Sequence, residues 1–151
     1  MKAFFKTDEN ISNLIIRVML GIVMFPHGAQ KLLGWFGGYG LEGTLGFFTD
    51  KVGGPMIIAI LIILGESLGA LGLIAGFLTR FCAAGIFMIM AGAIVMSHAS
   101  NGFFMNWSGQ QAGEGFEYHL LAIALCLPLL ISGGGRLSAD GLILKRFFNN
   151  K

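Results

Sequence analysis

The sequence predicts an all-α, polytopic membrane protein: a bundle of four transmembrane helices with both termini in the cytoplasm. Three observations carry that expectation. Of the 151 residues, 55% are hydrophobic and only 12% charged, with a mean hydropathy of +0.76. Soluble domains carry about 25% charged residues, so this chain has too few to cover a water-facing surface. Apolar runs long enough to cross a ~30 Å hydrocarbon layer recur along the chain, separated by Gly-, Asn- and Ser-rich segments. Lysine and arginine are also unevenly divided. With four spans, Lys2, Lys6, Arg80, Arg136, Lys145, Arg146 and Lys151 share one side, against Lys31 and Lys51 on the other, and such an excess marks the cytoplasmic face.

Residues 1–151 read as a single domain. A short charged tail leads into the first span, 11–33, which carries Arg17 in its first half and His27 and Lys31 at its far end. The apolar run is interrupted by Arg17 and followed by PHGAQK, with no small-x-small site, so it is expected to stay as a span rather than be cleaved as a leader. The next stretch, GWFGGYGLEGTLGFFTDKVGGP, is too broken to span. It suits the membrane interface, with Trp35 and Tyr39 as anchors and a short amphipathic or re-entrant helix around 44–52.

The second span, 56–77, is the expected centre of the bundle. It holds one carboxylate, Glu66, near its midpoint, and Gly65, Gly69, Gly72 and Gly76 in G-x-x-x-G spacing. A carboxylate at that depth costs roughly 2.5–3.5 kcal/mol and therefore faces protein or water. Glycines so spaced admit a neighbouring backbone. A tight turn at 78–80 leads to the third span, 81–98. A polar loop then precedes the fourth, 117–132, with a kink expected at Pro128. Gly133-Gly134-Gly135 ends that helix, and 136–151 reads as an interfacial tail with Leu142, Ile143, Phe147 and Phe148 apolar.

This topology gathers His27, Lys31, His98, Glu117 and His119 at the outer mouth of the bundle. They are the ligand-binding candidates, forming a polar pocket for a quinone headgroup, a small anion or a metal. The competing reading makes them solvated headgroup-level residues. No H-x-x-x-H spacing is present, so metal or haem is disfavoured and no metal ligand is assigned. Arg17 lies about five residues, roughly 7 Å, from the middle of span one, and is the expected partner of Glu66. The pair is either a buried ion pair that fixes helix register or a catalytic pair in which Glu66 passes protons. Arg136 and Asp140 are four apart and are expected to pair on a helical turn capped by Ser138. Cys82 and Cys126, each within an apolar span, read as packing residues. No basic stripe with interleaved aromatics points to nucleic acid.

Arg17 and Gly21 followed by HGAQKLLGW, then GESLGALGLIAGFLTR, NGFF, GFEYHLL and GGGRLSADGLI, occur in an order and spacing that resembles the DoxX family over about residues 12–144. The resemblance implies a small four-span protein of the bacterial cytoplasmic (inner) membrane. Some relatives resemble the membrane subunit of thiosulfate:quinone oxidoreductase, DoxD. In mycobacteria, DoxX is linked to a membrane complex with superoxide dismutase and a sulfurtransferase. Arg17, His27, Lys31, Glu66, Glu117, Arg136 and Asp140 match recurring polar positions of the family, which supplies no catalytic residue set.

The leading expectation is therefore a membrane subunit of a redox system that interacts with quinone and with a soluble oxidoreductase or sulfurtransferase partner. The sequence holds no flavin, nucleotide or Fe–S motif, so redox chemistry requires the quinone or the partner. A non-catalytic scaffold or assembly factor is the alternative, and a small oligomeric transporter a third. The G-x-x-x-G faces serve a homo-oligomer or a single bundle equally well.

Overall fold

The computed structural model describes residues 5–148, and among these the chain is helical with no strand. Helix α1 is Ile11–Leu33. Helix α2 is Gly40–Gly46 and runs into a π-helical turn, Phe47–Lys51. Helix α3 is Met56–Ala75, with a π-helical turn at Gly65–Gly69. Helix α4 is Thr79–Asn101, with a π-helical turn at Ile94–His98. Helix α5 is Glu117–Ser132, and α6 is Ala139–Ile143, followed by the turn Leu144–Phe148. Helices α1, α3 and α4 are long and apolar enough to cross a membrane. Helix α5 is apolar but has 16 residues, about 24 Å of rise.

The helix ends follow local chemistry. Asn10 caps α1, its Oδ1 accepting from the Ser12 N–H at 2.8 Å, and Gly34 closes the helix at φ 72°. Gly76, at φ 68°, ends α3. The helix expected around 44–52 is present as α2 and its π turn. Thr44 is buried there and donates to the Lys31 carbonyl at 3.2 Å, tying α2 to the end of α1.

Helix α1 packs on α3, α4 packs on α5, and α1 also meets α5. The core between them contains Leu20, Met24, Leu73, Ile86, Cys126 and Leu129. Cys126 is thus a packing residue, whereas Cys82 is half-buried with its sulfur 3.5 Å from the Phe77 carbonyl. Large apolar side chains point outward: Ile15 is 57% exposed, Leu121 67% and Ile131 78%. That is the inverse of a water-facing surface and suits contact with lipid.

The closest helix approach comes from α1. Gly21 and Gly28, seven apart, lie on one face of it. A Cβ on Gly21 would stand 2.7 Å from the Ala70 carbonyl oxygen, and one on Gly28 only 2.4 Å from that of Glu66. These contacts fix α1 against α3 with Gly28 level with Glu66. Arg17 is eleven residues away along α1, about 16 Å. The expected Arg17–Glu66 pair therefore does not form, because depth counted from each span's midpoint misses this register.

Arg17 instead sits at the end of the molecule that holds the termini, where it is only 1% exposed. Its Nη1 donates to the carbonyls of Leu73 at 3.0 Å and Ile74 at 2.5 Å, which close α3. Its Nε donates to Gly134 at 2.8 Å, and its Nη2 to Leu137 at 2.9 Å and Arg136 at 3.3 Å. A cation on the last carbonyls of a helix satisfies groups that have no intrahelical partner and meets the negative end of the helix dipole. Arg80 does the same for α5, donating to Leu130 and Ile131, both at 3.0 Å.

Asp140 caps the opposite polarity. Its carboxylate accepts from the N–H groups of Leu78 at 2.7 Å and Thr79 at 2.8 Å, at the start of α4. Asp140 is buried and Arg136 exposed, so the expected Arg136–Asp140 pair is replaced by this helix cap. Ser138 caps α6 as expected, accepting from the Gly141 N–H at 3.1 Å. The Gly133–Gly135 run does more than end α5: Asn13 donates to the Gly133 carbonyl at 2.9 Å, and Thr7 accepts from the Gly135 N–H at 2.7 Å. The tail expected at 136–151 is helical from Ala139 through Phe148, and residues 149–151 lie outside the described range.

Candidate functional site

At the opposite end, several polar side chains meet one another. Glu66 lies on the π turn of α3, where the wide turn interrupts the regular hydrogen-bond ladder. Its Oε2 accepts from Lys31 Nζ at 2.5 Å. The Glu66 side chain is 6% exposed and that of Lys31 27%, so a buried carboxylate is neutralised by an ammonium that reaches toward the surface. Lys31, at the end of α1, takes the place expected for Arg17.

His98 lies on the π turn of α4, and His119 in the first turn of α5. Their ring centroids are 4.1 Å apart with the planes inclined by 41°. His98 Nδ1 stands 2.8 Å from the Glu114 carbonyl. A carbonyl only accepts, so Nδ1 carries a proton. Tyr118 joins the group: its ring meets His119 edge-on at 5.6 Å and His27 at 6.2 Å, and its hydroxyl donates to Met24 Sδ at 3.6 Å.

These groups form the polar end of a cavity of about 1300 Å³ bounded by α1, α2, α3, α4 and the start of α5. Its lining includes Glu66, Lys31, His27, Tyr118, His98 and His119. Most of the remaining wall is apolar side chains and glycine from α3 and α4. Drug-sized ligands occupy pockets of about 300–1,000 Å³, so this space admits an elongated molecule.

Of the residues singled out in the sequence, His27, Lys31, Glu66, His98 and His119 thus share one cavity. Glu117 does not line it. Its Oε1 accepts from the Met105 N–H and the Trp107 indole N–H, both at 3.1 Å, and so shapes the loop between α4 and α5. Arg17, Arg136 and Asp140 lie at the other end. Tyr118 was not anticipated. The signal for it is its position between Glu117 and His119 at the start of an apolar helix, since successive helical positions face different directions.

The polar end offers imidazole, phenol, ammonium and carboxylate groups, which can form hydrogen bonds and exchange protons.

The family model described as DoxX matches residues 12–99. A Bacillus subtilis (strain 168) protein named "Putative oxidoreductase CatD" is 30% identical over 135 residues, which cover 89% of this chain and 89% of that protein. No solved structure matches the chain.

Proposed function

The chain belongs to the DoxX family, and from that premise we propose that it is a membrane subunit of a redox system that binds quinone and exchanges electrons with a soluble oxidoreductase or sulfurtransferase partner. The observation that carries this reading is the cavity of about 1300 Å³, apolar along α3 and α4 and polar at the end where Glu66, Lys31, His119 and Tyr118 meet. A quinone has the matching form, with two carbonyls on a ring and an apolar chain. Its reduction to quinol takes two electrons, supplied by the soluble partner, and two protons. His98 is half-buried beside the Glu114 carbonyl, with the tilted His119 ring against it deeper inside, and both imidazoles line the cavity next to the surface loop. The name of the CatD relative is in keeping with redox work.

In this reading α5 is the fourth span, the chain is one membrane domain, and both termini face the cytoplasm of a bacterial inner membrane. The seven-to-two division of lysine and arginine supports that orientation. The histidine end then opens to the outer side.

A scaffold role has its own support in the termini end, where Arg17, Arg80 and Asp140 bind backbone and have no need of a ligand. Titrating purified protein with a quinone analogue separates the two. Saturable binding, weakened at least tenfold by His119→Phe, is expected, along with lower quinone-dependent redox activity in membranes lacking the protein. Absence of binding together with unchanged membrane activity on deletion leaves the scaffold reading.

A further inference from the structure

We propose that the cavity is built for a long-chain quinone, with a neutral head at His119 and a single apolar chain lying in the trough between α3 and α4. The inference rests on the quinone reading and specifies the substrate class.

The first observation is glycine where no neighbour requires it. Inside a helix, glycine is less favourable than alanine, and a close contact usually accounts for it. Gly21 and Gly28 have such contacts. Gly85 and Gly92 of α4 have none: a Cβ at either would meet nothing within 4 Å. Both line the cavity, as do Gly65, Gly69 and Gly72 of α3. Of these, Gly65 and Gly72 accommodate Ile89 and Cys82, while a Cβ on Gly69 would meet nothing nearer than the Leu64 carbonyl at 3.8 Å. Gly69, Gly85 and Gly92 therefore keep the trough open. Cavity-lining positions on α4 run from Phe81 to His98, about 25 Å of helix, far longer than a single ring.

His119 is the second observation. It is 7% exposed, it lines the cavity, and its Nδ1 is buried with no hydrogen-bond partner. Buried N–H groups without an acceptor are rarer in proteins than under-satisfied acceptors, so a bare nitrogen at Nδ1 is the better-tolerated state. The proton then belongs on Nε2, the nitrogen left to a ligand. A carbonyl oxygen is the complementary group.

Charge is the third. The cavity's charged lining is Lys31, already paired with Glu66, together with Glu114. No unpaired cation is left among these to hold a phosphate, so a phospholipid, which shares the head-and-tail form, is the poorer fit. Uncharged carbonyls suit the site.

The test uses the full chain in phosphatidylcholine nanodiscs and two quinones with one ring, bearing either a methyl group or an isoprenoid chain. Affinities are taken per mole fraction in the bilayer, so that partitioning cancels. The long-chain quinone is expected to bind about tenfold tighter, the sum of many small dispersion contacts along the trough. The variant Gly85→Leu/Gly92→Leu, which fills open space and leaves the core intact, removes that tenfold while the methyl compound binds unchanged. Equal binding of both quinones, or a chain preference that survives the double substitution, overturns the inference and leaves the quinone reading standing. If neither quinone binds folded protein, both fall. Phospholipid retained by the wild type through purification, not displaced by quinone and lost in the double variant, overturns the neutral-head assignment.

Discussion

The termini end and the histidine end of this molecule hold similar numbers of buried polar residues but pair them differently. At the termini end, Arg17, Arg80, Asn13 and Asp140 bind main-chain carbonyls and N–H groups that helix geometry leaves unsatisfied. Thr79 Oγ1 is the buried atom there without a partner. At the histidine end, Lys31 meets Glu66, His98 lies against His119, and Tyr118 reaches a methionine sulfur. Backbone partners are fixed by the fold and cannot be exchanged, so the first arrangement is a lock. Side-chain partners can rotate away and accept a ligand, and His119 still lacks a bond. Buried polarity by itself therefore does not mark a functional site; the identity of the partner does.

Substitutions at each end sharpen this contrast. Arg17→Ala is expected to have the largest effect on stability. It strands carbonyls of α3 and of the segment after α5, a loss of about 3–5 kcal/mol, read as a collapse in folded yield and a lowered unfolding temperature in detergent. Glu66→Gln keeps an acceptor for Lys31 and leaves no unpaired buried carboxylate. It is expected to cost about 1 kcal/mol while reducing quinone-dependent activity at least tenfold. Equal destabilisation by the two changes would remove the distinction between lock and site.

The smallest effect belongs to Glu9 and Lys145, an exposed pair that joins the segment before α1 to the tail. The hydrogen bond from Lys145, and then its charge, hold the Glu9 carboxyl below its ordinary value of 4.5. A carboxyl lowered in the folded state contributes stability above its unfolded pKa, and that contribution fades as pH falls through the folded value. Lys145→Ala should therefore lower the unfolding temperature slightly at pH 7, with the difference shrinking to nothing as the pH falls below the folded value. A difference that persists in acid would point to a packing role for the lysine stem.

Much of the architecture is legible in the sequence, because helix length and hydropathy follow from local composition. Helix α1 occupies 11–33, and α5 begins at Glu117 and ends at Ser132, as the apolar runs predict. Convergence of His27, Lys31, His98 and His119 follows from counting helix ends. Partner identity is harder to read. Arg17 and Glu66 looked matched in depth, but Gly21 and Gly28 set the register and bring Lys31 to Glu66 instead. The G-x-x-x-G spacing on α3 suggested that its glycines admit the neighbouring backbone, whereas the closest backbone contact uses glycines of α1. Asp140 was matched to Arg136 by spacing, because the backbone N–H groups it caps leave no trace in composition. The trough was equally hidden, since Gly85 and Gly92 look like ordinary membrane-helix glycines until their surroundings are known.

The Arg17 lock also imposes an order on biosynthesis. Its partners at Gly134, Arg136 and Leu137 are made 117 or more residues after it. At about 5–20 residues per second, that interval is roughly 6–25 s of translation. The carbonyls of Leu73 and Ile74 emerge earlier, so α3 is the first element able to shelter the guanidinium. A ribosome that stops before Gly134 leaves an unfinished chain with an under-coordinated arginine in an apolar helix, a mark by which quality control can tell a truncated product from a complete one.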